Sequence, residues 1–184
     1  MRSVETAIPG MLIIEPSVFR DRRGFFVESF HARKFAELGI TAAFVQDNHS
    51  RSGRDTVRGL HYQLHYPQAK LCRVSRGEVL DVAVDIRRGS PAFGTVVTVL
   101  LSEENLHEVF LPRGVAHGFR VLSETADFHY KCDEFYHAED EHGIAWDDPD
   151  LAIPWDVSSP LLSEKDRRHP RLAELPPELL PAFA

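Results

Sequence analysis

The chain has 184 residues, enough to bury one substantial core and few for two domains, and its 43% apolar and 27% charged content is that of an ordinary water-soluble globular fold. A net charge of −7 argues against broad nucleic-acid binding, which needs a basic surface, yet leaves room for a small anion held locally by arginine. No apolar run has membrane-spanning length, "MRSVETAIPG" lacks a signal peptide's apolar segment, and two cysteines (Cys72, Cys132) make no disulfide framework; a reduced, cytoplasmic protein is expected.

In chain order, "MLIIEP" (Met11–Pro16) and "FFVESF" (Phe25–Phe30) read as strands, the second following a turn at Gly24. "HARKFAELGI" reads as a short helix, with Phe35 and Leu38 at helical spacing and Gly39 as its stop. "KLCRVSRGEVLDVAVDI" breaks at Arg76-Gly77, and beyond the break Leu80, Val82, Val84 and Ile86 alternate along one face. "RRGSPAFG" is a loop, "TVVTVLLS" and "ENLHEVFLP" are strands, and "PRGVAHGF" is a turn leading into "HGFRVLS". "ADFHYKCDEFY" alternates again, with Phe128, Tyr130, Cys132 and Tyr136 on one face and Asp127, His129, Lys131 and Asp133 on the other. Many short strands with one short helix predict an all-β fold, a β-sandwich or jelly roll. From about residue 147 the chain is proline-punctuated but rich in leucine, so it is expected to wrap the β-core as part of a single domain spanning 1–184.

Several side chains invite chemistry, each beside a plainer explanation. If "GLHYQLH" is extended, His61, Gln63 and His65 share one face, which is either a wet surface or a lined cavity. Lys70 shares a face with Cys72 and Val74, and Tyr130 lies among apolar neighbours where a tyrosine is usually core. Asp166 has a structural role open to it, as the acid of a capping box begun by Ser163. The arginines cluster at Arg20, Arg22 and Arg23 and at Arg51, Arg54 and Arg58, as solvated surface or as an anion site. His61, His65, His117 and Glu141 form a potential metal set, although Gln63 stands where a His-x-His pair would put its second imidazole.

The ordered set "RGFFVES", "FVQDNHS", "RGLHYQ", "GEVLDVAVDIR", "LPRGVAHGF", "GIAWDDP" and "LLSEKD" closely resembles the dTDP-4-dehydrorhamnose 3,5-epimerase family, over about Thr6 to Leu175. The resemblance implies a jelly roll of the cupin type with no metal or other cofactor, usually a homodimer that exchanges N-terminal strand contacts. It implies a dTDP-4-keto-6-deoxy-sugar as substrate, inverted at carbons 3 and 5. It makes His61 the general base, Asp166 its carboxylate partner, Tyr130 the general acid and Lys70 the cation near the keto oxygen. Arg23, Glu28, Gln46, Asp47, Asn48, Arg58, His117, Glu141 and Lys165 fall on substrate-binding positions, and Tyr136 on the aromatic that stacks on thymine. Two departures stand out: Phe135 where many members have tyrosine, and His129 where an apolar residue is common. The remaining alternatives are a single-centre epimerase of a related keto-sugar, a metal-dependent cupin oxygenase, and a sugar-nucleotide binder without activity.

These residue types suit such a reaction. A ketone at carbon 4 acidifies the protons on both flanking carbons, so one site can serve two centres. An imidazole titrates near neutral pH, a carboxylate fixes its tautomer, and an ammonium meets the charge developing on the enolate oxygen. A phenol, protonated at pH 7, can deliver a proton to the opposite face.

Overall fold

Residues 1–183 are described in a computed structural model. The strands are β1 (Arg2–Glu5), β2 (Leu12–Glu15), β3 (Val18–Asp21), β4 (Gly24–Val27), β5 (Gln46–Gly53), β6 (Val57–Gln63), β7 (Lys70–Arg76), β8 (Glu78–Asp85), β9 (Val96–Ser102), β10 (Glu108–Leu111), β11 (Val115–Val121), β12 (Thr125–Cys132) and β13 (Glu141–Gly143), with helix α1 (Ala32–Glu37) between β4 and β5. A six-stranded sheet runs β1-β2-β10-β7-β12-β5 and a five-stranded sheet runs β13-β6-β11-β8-β9; β3 and β4 form a separate hairpin. All strand pairs within the two sheets are antiparallel. The sheets stack as a jelly-roll sandwich, as expected from the strand pattern and in keeping with the cupin type that the resemblance implies.

Alternation along the strands explains the layers. Val79 and Ala83 of β8 turn inward and meet Cys72, Val74 and Phe128 from the facing sheet, forming the inter-sheet core. Leu80, Val82, Val84 and Ile86, the row read from sequence, turn the other way. There they pack under Trp146, Leu151, Trp155, Leu162, Leu172, Leu175 and Leu180 of the C-terminal segment. That segment is also stitched on by hydrogen bonds. The Val57 N–H donates to the Leu161 carbonyl at 3.0 Å, the Tyr62 hydroxyl to the Leu179 carbonyl at 2.8 Å, and the Arg88 N–H to the Pro181 carbonyl at 2.7 Å. On the far side of the six-stranded sheet, α1 sets Phe35 against Ile14, Ile40 and Leu71. Gly39, at φ +89°, ends this helix: its N–H reaches the Ala36 carbonyl while the Ile40 N–H reaches that of Phe35, the double bond of a Schellman cap. No helix among the described residues is long and apolar enough to cross a membrane.

Two expectations are corrected. Tyr136 does not continue the alternation of Phe128, Tyr130 and Cys132, because β12 stops at Cys132 and Tyr136 lies in the following loop. His65 does not extend the His61 row either. β6 ends at Gln63, and His65 turns to Asp140, which accepts from its backbone N–H and meets its Nδ1 at 2.7 Å.

The six-stranded sheet holds one buried carboxyl whose cost is measurable. Glu108 of β10 lies opposite Arg73, is almost wholly buried, and its Oε2 has no partner among the described residues. Burial pushes its pKa up to about 8, against the opposing charges of Arg73 and Lys131. Below the ordinary carboxyl range both folded and unfolded chains hold this proton. As pH rises from about 4.5 to 8 only the unfolded chain releases it, so stability falls through that window. Glu108→Gln should remove this slope, its Tm advantage over the wild type widening between pH 5 and pH 8. Parallel Tm curves across that range would contradict the assignment.

Candidate active site

The site begins with an extra residue. Where β6 pairs with β11, His61 lies opposite His117 and Arg58 opposite Phe119, so β6 advances three residues while β11 advances two. Gly59, at φ +115°, takes up the bulge; a Cβ there would stand 2.6 Å from the Cα of Gly118. Gly118 in turn has room for no side chain, since its Cβ would lie 2.6 Å from the Arg58 carbonyl. In a regular strand residues three apart face opposite ways. Here the bulge sends both Arg58 and His61 into one cavity.

That cavity, of about 540 Å³, opens at the mouth of the sandwich. The five-stranded sheet contributes Arg58, His61, His117 and Glu141; the six-stranded sheet contributes Gln46, Asn48, Lys70 and Tyr130. Tyr136, Lys165 and Asp166 complete it from connecting segments. Three residues expected from sequence are not among its lining. Asp47 alternates with Gln46 and Asn48 to the other face of β5, where Lys131 holds it at 2.8 Å. Arg23 sits at the tip of the β3–β4 hairpin on Asp21, and Glu28 follows β4 and pairs with Lys34 at 2.6 Å.

His61 Nε2 meets Asp166 Oδ1 at 2.6 Å, with the imidazole about a quarter exposed and the carboxylate 5% exposed. A carboxylate at that nitrogen fixes the proton on Nε2, which leaves the Nδ1 lone pair free. Burial alone would raise the Asp166 pKa, but the neighbouring imidazoles of His169 and His61, the latter hydrogen-bonded to it, outweigh burial and hold the carboxyl well below its usual range. Asp166 stays ionised at any working pH. The Asp166 N–H does donate to Ser163 Oγ at 3.1 Å, so half of the expected capping box is present, while the carboxylate is given to His61.

On the facing sheet, burial pushes the Tyr130 phenol up to about 12, so it keeps its proton at neutral pH. Lys70 Nζ lies 5.8 Å from the centre of that ring, between β7 and β12. At the mouth, Glu141 Oε2 accepts from Lys165 Nζ and, at 2.6 Å, from the Tyr136 hydroxyl; these bonds overcome burial and lower the Glu141 pKa. Its Oε1 stands 3.9 Å from His61 Nδ1.

Sequence reading missed Asp81 and His169. Asp81, fully buried on β8, meets His117 Nε2 at 2.8 Å and makes a second imidazole–carboxylate pair beneath the cavity. Its signal was available: an acid standing between Val79 and Ala83 in the inward row. Ser50 and Gln68, which also line the cavity, carry no pattern that marks them, and Ser163, marked only as a cap, lines it too. Of the metal-ligand set weighed from sequence, His65 lies outside the cavity lining.

Fold and cavity together define a jelly-roll protein equipped for proton transfer, with a carboxylate-backed imidazole in one sheet and a phenol and an ammonium in the other. Comparison with known proteins agrees. The sequence profile of the dTDP-4-dehydrorhamnose 3,5-epimerase family matches residues 5–174. The dTDP-4-dehydrorhamnose 3,5-epimerase of Pseudomonas aeruginosa is 52% identical over 176 residues, covering 95% of this chain and 97% of that protein. A crystal structure of dTDP-6-deoxy-D-glucose-3,5-epimerase from Legionella pneumophila Philadelphia 1, in complex with dTDP-4-keto-L-rhamnose, superposes with a TM-score of 0.96 at 51% identity, covering 100% and 98% of the two chains. A dTDP-4-dehydrorhamnose 3-epimerase of Streptomyces niveus is more distant, 38% identical over 187 residues, covering 100% of this chain and 90% of that protein. The chain belongs to the dTDP-4-dehydrorhamnose 3,5-epimerase family.

The bulge makes a sharp prediction about the site's frame. Gly118→Ala should destabilise the fold by about 2–4 kcal/mol, because the new methyl meets backbone that cannot yield. Chemical denaturation measures this, and a loss below about 0.5 kcal/mol would show that β6 and β11 can part without cost.

Proposed function

We propose that this chain epimerises dTDP-4-dehydro-6-deoxy-D-glucose at carbons 3 and 5, giving dTDP-4-dehydro-L-rhamnose. The observation that carries the reading is the His61–Asp166 pair, 2.6 Å apart, in one cavity with Tyr130 and Lys70 from the facing sheet. His61 Nδ1 takes the proton beside the ketone, and its charge as imidazolium is balanced by Asp166. The electron pair moves onto the keto oxygen as an enolate, and Lys70 meets that charge as it develops. Tyr130 then gives its proton to the other face of the carbon, a downhill step because a phenol is a far stronger acid than a ketone's α-carbon. Solvent restores both groups: imidazolium loses a proton, phenolate gains one, and the second carbon repeats the cycle.

Arg58, Gln46 and Asn48 bind the nucleotide end together with Lys165, Tyr136 stacks on the base, and His117 and Glu141 hold the sugar. Binding energy from the unreacting diphosphate and thymidine fixes the sugar between base and acid. The working unit is a homodimer in which the β3–β4 hairpin of one copy completes the cavity of the other. Phe19, Phe25 and Phe26 of that hairpin are 66%, 53% and 67% exposed, an apolar surface in want of a partner. Arg23 and Glu28 lie on or beside it, apart from the cavity of their own chain. The chain acts as one domain, and Cys72 and Cys132, both free thiols, suit the reducing cytoplasm.

In deuterium oxide with the authentic keto-sugar, deuterium should enter at both carbons and the product should have the rhamno configuration. His61→Asn should lower exchange at both by about 10³-fold, and Tyr130→Phe should keep exchange while losing inversion. Label at one carbon with a singly inverted product would instead make the chain a single-centre epimerase.

The shared site has its own test. Arg23→Ala and His61→Asn chains, each impaired alone, should regain activity when mixed into heterodimers, because one cavity then has both residues intact. Activity no greater than the sum of the two homodimers would reject the exchanged hairpin.

A further inference from the structure

Asp166 has a second imidazole beside it. His169 Nε2 stands 3.5 Å from the Oδ1 that His61 Nε2 meets at 2.6 Å, and the two rings lie edge to face with centroids 5.6 Å apart. The His169 side chain is 90% buried, and its Nε2 makes no hydrogen bond among the described residues; the carboxylate of Asp166 is the charged group it approaches. A buried polar nitrogen without a partner is costly, and a shift of a few tenths of an ångström toward the carboxylate it faces would relieve that cost.

The chain makes a place for this ring. Gly143 of β13 pairs directly with His61 of β6, and a Cβ on Gly143 would lie 2.4 Å from the His169 ring. Just beyond, the Ala145 N–H donates to the Pro170 carbonyl at 2.8 Å and anchors the residue after His169. His169 is absent from the cavity lining, so it reaches the chemistry only through Asp166.

We propose that His169 is a positioning residue that divides the Asp166 carboxylate between two imidazoles and thereby tempers the basicity of His61. The inference rests on the reading of His61 as the base. A carboxylate given wholly to His61 would stabilise its imidazolium more strongly, so that His61 would still hold a proton when it should accept one. A second N–H on the same oxygen weakens that stabilisation. If His169 is itself protonated, its charge opposes the imidazolium further, so both of its protonation states act in the same direction. The other groups facing this cluster are Glu141, which carries Lys165 and Tyr136, and Arg58, His117, Lys70 and Tyr130 around the cavity.

The test compares pH profiles of kcat/KM for the wild type, His169→Phe, His169→Gln and Gly143→Ala, with His61→Asn as control and the keto-sugar as substrate. His169→Phe fills the space without an N–H, and its acid limb should move up by about half to one pH unit, with KM on the plateau unchanged. His169→Gln keeps an N–H near the Nε2 position and should retain the wild-type profile. Gly143→Ala displaces the ring and should shift the limb in the same direction as His169→Phe. An unmoved limb in His169→Phe accompanied only by a lower Tm, or equal shifts in the Phe and Gln variants, would overturn the proposal and leave His169 a packing residue. Undiminished turnover in His61→Asn would instead defeat the assignment of the base, whatever the His169 variants do.

Discussion

A carboxylate sunk to 5% exposure sets the terms for much of this molecule. Left unpaired, Asp166 would cost several kcal/mol or take up a proton and lose its use. It stays ionised because two imidazoles and the Ser163 hydroxyl surround it. That requirement fixes where the C-terminal segment must lie. Its leucines and tryptophans supply the adhesion to the five-stranded sheet, and the Asp166–His61 bond supplies the registration. Packing and chemistry are therefore joined at one residue, which comes from the segment least like a jelly-roll strand.

The division of labour between the sheets follows from their separation. Base and carboxylate belong to the layer on which the C-terminal segment rests, and phenol and ammonium belong to the other. Imidazole and phenol are thus held on opposite layers of the sandwich, the arrangement that the proposed transfer of protons to and from the two faces of an enolate would use. The bulge at Gly59 adds what regular strand geometry withholds, by turning Arg58 and His61 to the same side. At the mouth, Glu141 draws Lys165 and Tyr136 together, so residues far apart in sequence form one rim.

How much of this the sequence disclosed depended on whether a residue obeyed its strand's alternation. The row Leu80, Val82, Val84 and Ile86 was plain because each side chain is apolar and meets an apolar layer. Gly39 was legible as a helix stop for the similarly local reason that it alone supplies the left-handed cap. Strand β5, "QDNHSRSG", gave no apolar pattern at all, since it is the sheet's edge and borrows its shape from β12. The pairing of Asp81 with His117 and the nearness of His169 to Asp166 depend on strand register and on the path of a prolyl segment, neither of which is local. The positions of Arg23 and Glu28 came only from resemblance, because nothing in their spacing marks them, and neither lines the cavity of its own chain.

The separation of His61 from Asp166 by 105 positions has a consequence in time. During synthesis the strands emerge first, and the imidazole is made long before the acid that meets it. Only when the closing segment has been made and laid over the five-stranded sheet does His61 meet Asp166. A chain lacking that segment would keep the residues of both sheets but leave His61 without its carboxylate, so the pocket's composition and its central pair are set by different stretches of the polypeptide.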